Sequence, residues 1–351
     1  MPLFTSGSSQ WRRFAMIFIG VMFGCGLAIW LFIVIIDPWN ILPASPPFNR
    51  IPISTNARYS MPALAMSDRF DSAMIGTSTS RLLRPQFMNG PFGARFVNLS
   101  MNTASPWEQE KIFSLFLRHH PQPKVVTFDI DFTWCFQDIN GPNRPFPYWM
   151  YEGSLWKGYL HMADLYALQE ASNQFLWLIG LKKQRYGSDG YTTLLPVDYA
   201  YNPKVVNKVF REWWPTDSSP PNGRSLDQPA LRRLVFMLKM LPTNTLKIVW
   251  IPPFSAEFFG KEGGWTNMKW QACKADITKI IQDYPNAIAI DFAQPSPITS
   301  QRSNFWDPIH YRNFIADKVM IGLIEASLHH QPLPQNQSRI LGFDSNKKHA
   351  H

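Results

Sequence analysis

The sequence predicts an α/β domain with a five-stranded parallel sheet, preceded by one N-terminal transmembrane helix. An uncharged apolar run at residues 14–36 predicts the helix, and five short apolar runs that alternate with helix-period segments predict the sheet. The chain has 351 residues, 45% of them hydrophobic, which suits one large domain or two ordinary ones. Its net charge of +9 comes without a long Lys/Arg run or a zinc-type cysteine spacing, so we do not expect nucleic acid as a partner.

The N-terminal apolar run predicts a membrane anchor. Residues 14–36 include no charged side chain, and as a helix they would extend about 34 Å, enough to cross a bilayer. A cleaved signal peptide is the alternative, but its apolar core would be shorter, and only a poor cleavage site follows the run. Arg12 and Arg13 precede the run. The positive-inside rule therefore predicts that residues 1–13 are cytoplasmic and that the rest of the chain is exported.

The remaining chain divides into a tether, a domain and a tail. Residues 37–56 include a stretch rich in Pro and Ser and are predicted to be a tether between the membrane and the domain. Residues 57–330 are predicted to form the α/β domain, with an insertion at 132–227 that breaks the alternation of strands and helices, and residues 331–351 a frayed polar tail. We expect a single-pass protein of the cell (inner) membrane whose domain is periplasmic or extracellular.

Five apolar runs predict parallel strands that are buried on both faces, because they are rich in Val, Ile and Phe and do not alternate with polar residues. The predicted strands are residues 72–76, 95–99, 124–130, 246–251 and 287–292. Helix-period segments predict helices at 107–119, 229–241, 267–283 and 311–328, and another within the insertion between about 155 and 183. Such a sheet binds ligands at the carboxyl ends of its strands.

The first predicted strand runs into a turn of small residues, 76–81, with the sequence Gly-Thr-Ser-Thr-Ser-Arg. A serine on a tight strand-to-helix turn exposes its hydroxyl near free backbone N–H groups, as a nucleophile and an oxyanion hole require. Serine also caps helices very commonly, so Ser78 or Ser80 could simply be an N-cap. Arg81 could hold an anionic substrate group or pair with a nearby carboxylate.

A second polar motif, residues 307–310 (Asp-Pro-Ile-His), lies between the fifth predicted strand and the last predicted helix. An Asp three residues before a His can orient the imidazole while the His takes a proton from a serine. The alternative is that Asp307 caps the last helix and that His310 is incidental.

The order of these motifs resembles the SGNH (GDSL-like) hydrolase superfamily. Residues 98–104 and 129–132 follow the second and third predicted strands, where that superfamily has its second and third sequence blocks. The resemblance covers about 71–328 without the insertion and implies a flavodoxin-like three-layer α/β/α fold. It also implies a catalytic role for three residues: Ser78 as nucleophile, His310 as base and Asp307 as its orienter.

The chain departs from the superfamily's pattern around the expected oxyanion hole. The usual Gly-Asp-Ser is Gly-Thr-Ser here, and a glycine of the second block is replaced around Ser100 to Asn102. We expect Asn102 to be the substitute oxyanion donor. Asp129 and Asp131 stand in the diverged third block, and as carboxylates facing the site they would repel an oxyanion. They are equally well interpreted as ordinary strand-end residues that accept backbone N–H bonds.

The N-terminal anchor adds a resemblance to membrane-tethered members of the superfamily, such as the alginate O-acetyltransferases and the D-alanyl transfer protein of teichoic acid modification. It implies an outward-facing serine acyltransferase that acts on a cell-envelope or secreted polysaccharide through an acyl-serine, beside a multi-spanning membrane-bound O-acyltransferase. The alternatives are an esterase of the same fold and a catalytically weak assembly or scaffold protein. The sequence has no metal cluster, phosphate loop or dinucleotide motif, so no cofactor is expected.

The insertion is rich in aromatic residues, which could be platforms for sugar rings or core residues. An apolar stretch at 176–179 is followed by Lys182, Lys183 and Arg185, and this segment could rest on the membrane or a partner, or be a buried helix. Cys135 and Cys273 could pair, but nothing in the sequence places them together. The tryptophans of the insertion are Trp134, Trp149, Trp156, Trp177, Trp213 and Trp214.

Overall fold

The computed structural model describes residues 6–136, 140–184, 186–196, 199–213 and 225–343. The chain divides into two compact units. The anchor unit consists of the residues up to Ser54 and the segment that begins at Tyr148 and ends before Tyr186. The sheet unit consists of the rest of the chain.

The elements of the described residues are as follows. The strands are β1 (Ser72–Ile75), β2 (Phe96–Asn98), β3 (Val125–Asp129), β4 (Leu246–Ile251), β5 (Ala287–Asp291) and β6 (Arg339–Phe343). The α-helices are α1 (Ser6–Ile36), α2 (Ala57–Ala65), α3 (Pro85–Phe92), α4 (Pro106–His119), α5 (Phe132–Phe136), α6 (Tyr148–Tyr151), α7 (Gly158–His161), α8 (Leu165–Leu178), α9 (Pro203–Trp213), α10 (Leu231–Met240), α11 (Trp265–Gln282) and α12 (Asn313–His329). Short 3-10 helices are Ser80–Leu82, Leu155–Lys157, Ala256–Phe259 and Arg302–Asn304.

The strands form one sheet in the order β2-β1-β3-β4-β5-β6. The first five are parallel, and β6 is antiparallel to β5. The predicted α/β class is confirmed. The order 2-1-3-4-5 is that of a doubly wound sheet, whose winding reverses between β1 and β3 and leaves a crevice at the carboxyl ends of these strands.

The prediction of five strands needs a correction, because β6 is a sixth. It lies in the segment 331–351 that we expected to be a frayed polar tail, of which residues 344–351 lie outside the described residues. Ile340 pairs with Ile290, and Phe343 with Ile288. The polar surroundings hid this short apolar run, and an antiparallel edge strand needs only one covered face.

Both faces of the sheet are covered. Ile248 and Trp250 of β4 share a hydrophobic cluster with residues of α12, among them Val319. Val249 alternates with them along the strand and points to the opposite face, where it is equally buried. The predicted strands lack alternating polar residues because both of their faces are buried.

The N-terminal helix α1 begins earlier than the predicted residue 14. Its portion Ser9–Ile36 is long and apolar enough to cross a membrane, and an 18-residue window within it has a mean hydropathy of 2.7. Arg50 closes its C-terminal end, donating from Nε to the Ile36 carbonyl at 2.6 Å and from Nη2 to the Ile35 carbonyl at 3.2 Å. These bonds satisfy carbonyls that have no partner within the helix.

The segment that we expected to be a tether is packed rather than loose. It has no helix or strand before α2, yet Trp39, Ile41, Leu42 and Ile51 are buried. Trp39 donates from its indole N–H to the Ser54 hydroxyl at 2.8 Å. A tether was predicted because the segment is rich in Pro and Ser. Its aliphatic residues nevertheless supply the apolar surface that drives packing.

The insertion holds α8 (Leu165–Leu178) within the range of about 155–183 where a helix was predicted, and the short helices Leu155–Lys157 and α7 precede it. Asp164 caps α8 by accepting a hydrogen bond from the Ala167 N–H at 2.7 Å, which separates α8 from α7. Gly180, with φ of +78°, follows the end of α8. Arg185 and Trp214 lie outside the described residues.

A disulfide joins Cys135 of α5 to Cys273 of α11, a pairing that the sequence left open. Both cysteines are buried, and the neighbouring Phe136 packs on Trp270, with ring centroids 5.2 Å apart. The bond therefore ties the first residues of the insertion to a helix of the sheet unit.

Candidate active site

The turn after β1 packs so closely that residue 76 must be glycine. A Cβ at Gly76 would lie 2.2 Å from the Ser80 Oγ and 2.5 Å from the Asp129 Cβ. Because it lacks that atom, the turn can rest directly on the carboxyl end of β3. Ser78, two residues later, is 8% exposed.

A second loop carries the Asp-x-x-His motif and is fastened to this turn. Phe305 and Tyr311 form an antiparallel bridge, and the Trp306 N–H donates to the His310 carbonyl at 2.8 Å, which closes the loop. The Tyr311 hydroxyl donates to the carbonyl of Thr79. Backbone contacts therefore close the loop, and the Tyr311 hydroxyl fastens it to the serine turn.

The structure brings Ser78, His310 and Asp307 together. The Ser78 Oγ lies 2.8 Å from the His310 Nε2, and the His310 Nδ1 lies 2.6 Å from the Asp307 Oδ2. The Asp307 Oδ1 accepts hydrogen bonds from the N–H groups of Ile309 and His310, at 2.9 and 2.8 Å. Since a carboxylate only accepts, Nδ1 carries the proton and Nε2 offers its lone pair to the serine hydroxyl.

The other serine of the turn is engaged elsewhere. The Ser80 Oγ donates to the Ser100 Oγ at 2.7 Å. The Ser100 N–H in turn donates to the Asn98 Oδ1 at 3.1 Å, so this N–H is not free to bind an oxyanion. Ser100 therefore supports the turn rather than facing a substrate.

Asp129 and Asp131 are buried beneath the serine turn and hold its threonines. The hydroxyl of Thr79 donates to the Asp129 Oδ2 at 2.5 Å, and that of Thr77 to the Asp131 Oδ2 at 2.6 Å. Thr133 donates its N–H and hydroxyl to the Asp131 Oδ1, at 2.9 and 2.5 Å. Neither carboxyl group lines the cavity at Ser78.

The burial of these two carboxyl groups disfavours their charged forms. Loss of hydration, and then the proximity of Asp131, raise the pKa of Asp129 to about 8. Burial also raises the pKa of Asp131, while its hydrogen bonds to Thr133 and Thr77 oppose this effect. A neutral Asp129 at neutral pH removes much of the negative charge that would oppose an oxyanion above the turn.

Asn102 lines the cavity beside Ser78, and Arg81 fixes the orientation of its amide. The Arg81 Nη1 donates to the Asn102 Oδ1. A guanidinium only donates, so the Asn102 oxygen must face Arg81 and its NH2 group is left to donate elsewhere. Arg81 is 3% exposed and lies over the Tyr186 ring, with its guanidinium carbon 5.2 Å from the ring centroid. Its expected roles, binding an anionic substrate group or pairing with a carboxylate, stay predictions.

A cavity of about 300 Å³ opens at these residues. One part of its wall is apolar, from Leu194, Leu195 and Trp306, and another is polar, from Thr103 and Arg144. Among the described tryptophan side chains, Trp306 lines the cavity, whereas Trp134 of the insertion is fully buried and Trp156 is exposed. The side chain of Trp213 lies outside the described part of the chain.

Several residues of the cavity and its surroundings were not predicted from the sequence. Trp306 and Tyr311 directly flank the Asp-x-x-His motif, and this adjacency was the available signal. Arg144, Leu194 and Leu195 carried no such signal, because they come from the irregular insertion.

No protein-family model matches the chain, and no curated protein matches it. Among the described residues, no group of three or more His, Cys, Asp or Glu side chains could hold a metal ion.

Proposed function

We propose that this chain is a membrane-anchored serine acyltransferase of the SGNH type, acting on a cell-envelope or secreted polysaccharide outside the membrane. The contact of the Ser78 Oγ with the His310 Nε2 at 2.8 Å, with Asp307 on the other ring nitrogen, carries the proposal. The three side chains are 8% to 21% exposed, so substrate can reach them while their hydrogen bonds stay largely shielded from water. The resemblance of the motif order to the SGNH superfamily supports the same interpretation.

The first half-reaction forms the acyl-serine. The Ser78 Oγ attacks the carbonyl carbon of the acyl donor while the His310 Nε2 takes the hydroxyl proton. The tetrahedral intermediate then collapses: the bond to the leaving group breaks, and that group receives the proton from His310. The Asp307 carboxylate stabilises the imidazolium between these two steps.

The second half-reaction transfers the acyl group to a sugar hydroxyl. The acceptor oxygen attacks the acyl-serine carbonyl and gives its proton to the His310 Nε2. Collapse of the second intermediate breaks the bond to Ser78, which regains its proton. If water replaces the sugar, the same steps make the protein an esterase, which is the nearest alternative.

Two donors are suited to the oxyanion of these intermediates. The Ser78 N–H has no acceptor within the described residues, and the Asn102 amide presents its NH2 group beside the same cavity. Arg81 acts on this donor indirectly, as a positioning residue. The apolar wall of Leu194, Leu195 and Trp306 fits the acyl group, which leaves the polar side for the acceptor.

An outward location agrees with two further features. The helix α1 is long and apolar enough to cross a membrane. The Cys135–Cys273 disulfide belongs to the kind of bond that persists in oxidising compartments outside the cytoplasm. A multi-spanning membrane-bound O-acyltransferase is the proposed source of the acyl group.

The purified full chain with an activated acyl ester, alone and with oligosaccharide acceptors, tests the proposal. Ser78→Ala should abolish ester cleavage and transfer, as should His310→Ala, because the residues of a triad act as a unit. Ser80→Ala is the matched control: it removes a hydroxyl from the same turn at a cost of about 1 kcal/mol and should keep activity.

Turnover by Ser78→Ala at the wild-type rate would contradict the role of Ser78 as nucleophile, and a wild-type chain that cleaves no ester would favour the scaffold alternative. Ester cleavage that acceptors never divert into transfer would favour the esterase.

A further inference from the structure

Large apolar side chains are exposed on the part of the insertion that belongs to the anchor unit. We call five of them the apolar set of the insertion. Soluble surfaces rarely present so many large apolar side chains within one short segment, and such exposure marks an interaction surface. The members are Trp156 (63% exposed), Leu160 (81%), Leu165 (85%), Ile179 (51%) and Leu181 (75%).

This part of the insertion packs on the C-terminal turns of α1. The Trp30 indole N–H donates to the Tyr159 carbonyl at 2.9 Å, and the ring centroids of Phe32 and Phe175 lie 5.8 Å apart. Earlier turns of α1 are bare, with Met22 59% exposed, whereas Ile33 is buried. The insertion therefore covers one end of the candidate membrane span and leaves the rest free for lipid.

The length of the span decides where this covered end lies. Arg13 is the last charged residue before the apolar run and belongs outside the hydrocarbon layer. A helix needs about 20 residues to cross a layer about 30 Å thick, so the opposite boundary falls near Ile33. The residues that contact Trp30 and Phe32 must then lie at that boundary.

The charges next to the apolar set suit the same position. Lys157 follows Trp156, and Lys182 and Lys183 follow Leu181, and all three lysines are exposed. Lysines beside apolar side chains at a bilayer surface reach the phosphate groups of lipids with their long stems, and tryptophan prefers this interface.

We propose that residues 148–184 are an interfacial membrane-binding element. The apolar set enters the outer leaflet next to α1, and the lysines contact lipid phosphates. This inference rests on the proposed anchoring by α1, and it makes the attachment two-part: one spanning helix and one surface element. Continuity with the span favours lipid over a protein partner as the occupant.

The test uses the full chain in nanodiscs of phosphatidylethanolamine and phosphatidylglycerol. In a Cys25→Ser background, which removes the free, exposed cysteine, single cysteines carry an environment-sensitive fluorophore. Leu160→Cys and Leu181→Cys report on the apolar set, Met22→Cys on the span, and Phe236→Cys, an exposed apolar position of the sheet unit, is the matched control. Quenchers are lipid nitroxides near the top or the end of the acyl chain, and aqueous iodide.

We expect the labels at 160 and 181 to shift to shorter wavelength and to be quenched most by the shallow nitroxide. The label at 22 should be quenched most by the deep nitroxide, and the label at 236 by iodide alone. Labels at 160 and 181 that respond only to iodide, or to neither quencher, would overturn the inference while a lipid-quenched label at 22 upholds the anchor. A label at 22 that lipid nitroxides do not reach would overturn both.

Discussion

At the scale of single residues, contacts on both sides of Ser78 fix the turn that presents its hydroxyl to His310. Its neighbours Thr77 and Thr79 are anchored from below by two buried carboxyl groups, and the Tyr311 hydroxyl bonds the Thr79 carbonyl. Bonds of this kind fix the backbone of the turn before substrate arrives, which is what preorganisation requires.

The buried carboxyl group of Asp129 predicts a pH dependence of stability. Its pKa is raised to about 8, whereas in the unfolded chain it is near 4. The folded protein therefore keeps a proton that the unfolded chain loses, and the free energy of unfolding falls as pH rises from about 4 to about 8. Asp129→Asn should flatten this decline in thermal unfolding of the full chain, and a variant with an unchanged decline would contradict the assignment.

If Asn102 donates to the oxyanion and Arg81 orients it, substitutions at these residues should lower kcat much more than they change KM. Removing an oxyanion donor costs on the order of 100-fold in kcat, so Asn102→Ala should lower kcat by this amount with little change in KM. Arg81→Gln should lower kcat less, and Arg81→Lys should restore part of the loss.

The double variant separates positioning from a structural role. Arg81→Gln combined with Asn102→Ala should be no slower than Asn102→Ala alone, because Arg81 acts through that amide. Losses that multiply would show that Arg81 acts independently.

At the scale of elements, most of the fold and the two loops that form the candidate site could be predicted from the sequence. The five strands β1 to β5 were predictable because each is buried on both faces. The serine turn and the Asp-x-x-His motif were predictable because each is local. The hydrogen bond of Thr79 to Asp129 joins residues 50 positions apart, and that of Arg81 to Asn102 joins residues 21 positions apart. No local sequence pattern predicts contacts at these separations.

The sequence did not predict the packing of segments that lack a regular pattern of apolar residues. The predicted tether is buried through scattered aliphatic residues, and β6 is a short apolar run within polar surroundings. In neither segment do apolar residues recur at the spacing of a helix or a strand. Both segments take their conformation from the surfaces on which they pack.

The disulfide between α5 and α11 predicts a loss of stability on its removal. It closes a loop of 138 residues, and bonds of this kind stabilise by about 2–5 kcal/mol, chiefly by restricting the unfolded chain. Replacing both Cys135 and Cys273 by Ser should lower the free energy of unfolding by that amount in a denaturant titration. Cys25→Ser is the matched control and should leave it unchanged, and an equally stable double variant would contradict the expectation.

At the scale of the whole molecule, the account requires the two ends of α1 to lie on opposite sides of a membrane. Alkaline phosphatase fused after residue 60 should be active in a bacterial host, because this enzyme folds only where disulfides form. A reporter that is active only in the cytoplasm should be silent at the same position. The reverse pattern would contradict the proposed orientation.

Mass spectrometry of the acylated protein can establish whether Ser78 carries the acyl group between donor and acceptor. The full chain is treated briefly with an activated acyl ester, digested, and searched for the modified residue. We predict one acyl group on Ser78, absent from Ser78→Ala and removed when an acceptor is added. Acylation of Ser80 instead, or turnover of the ester with Ser78 never modified, would contradict the account.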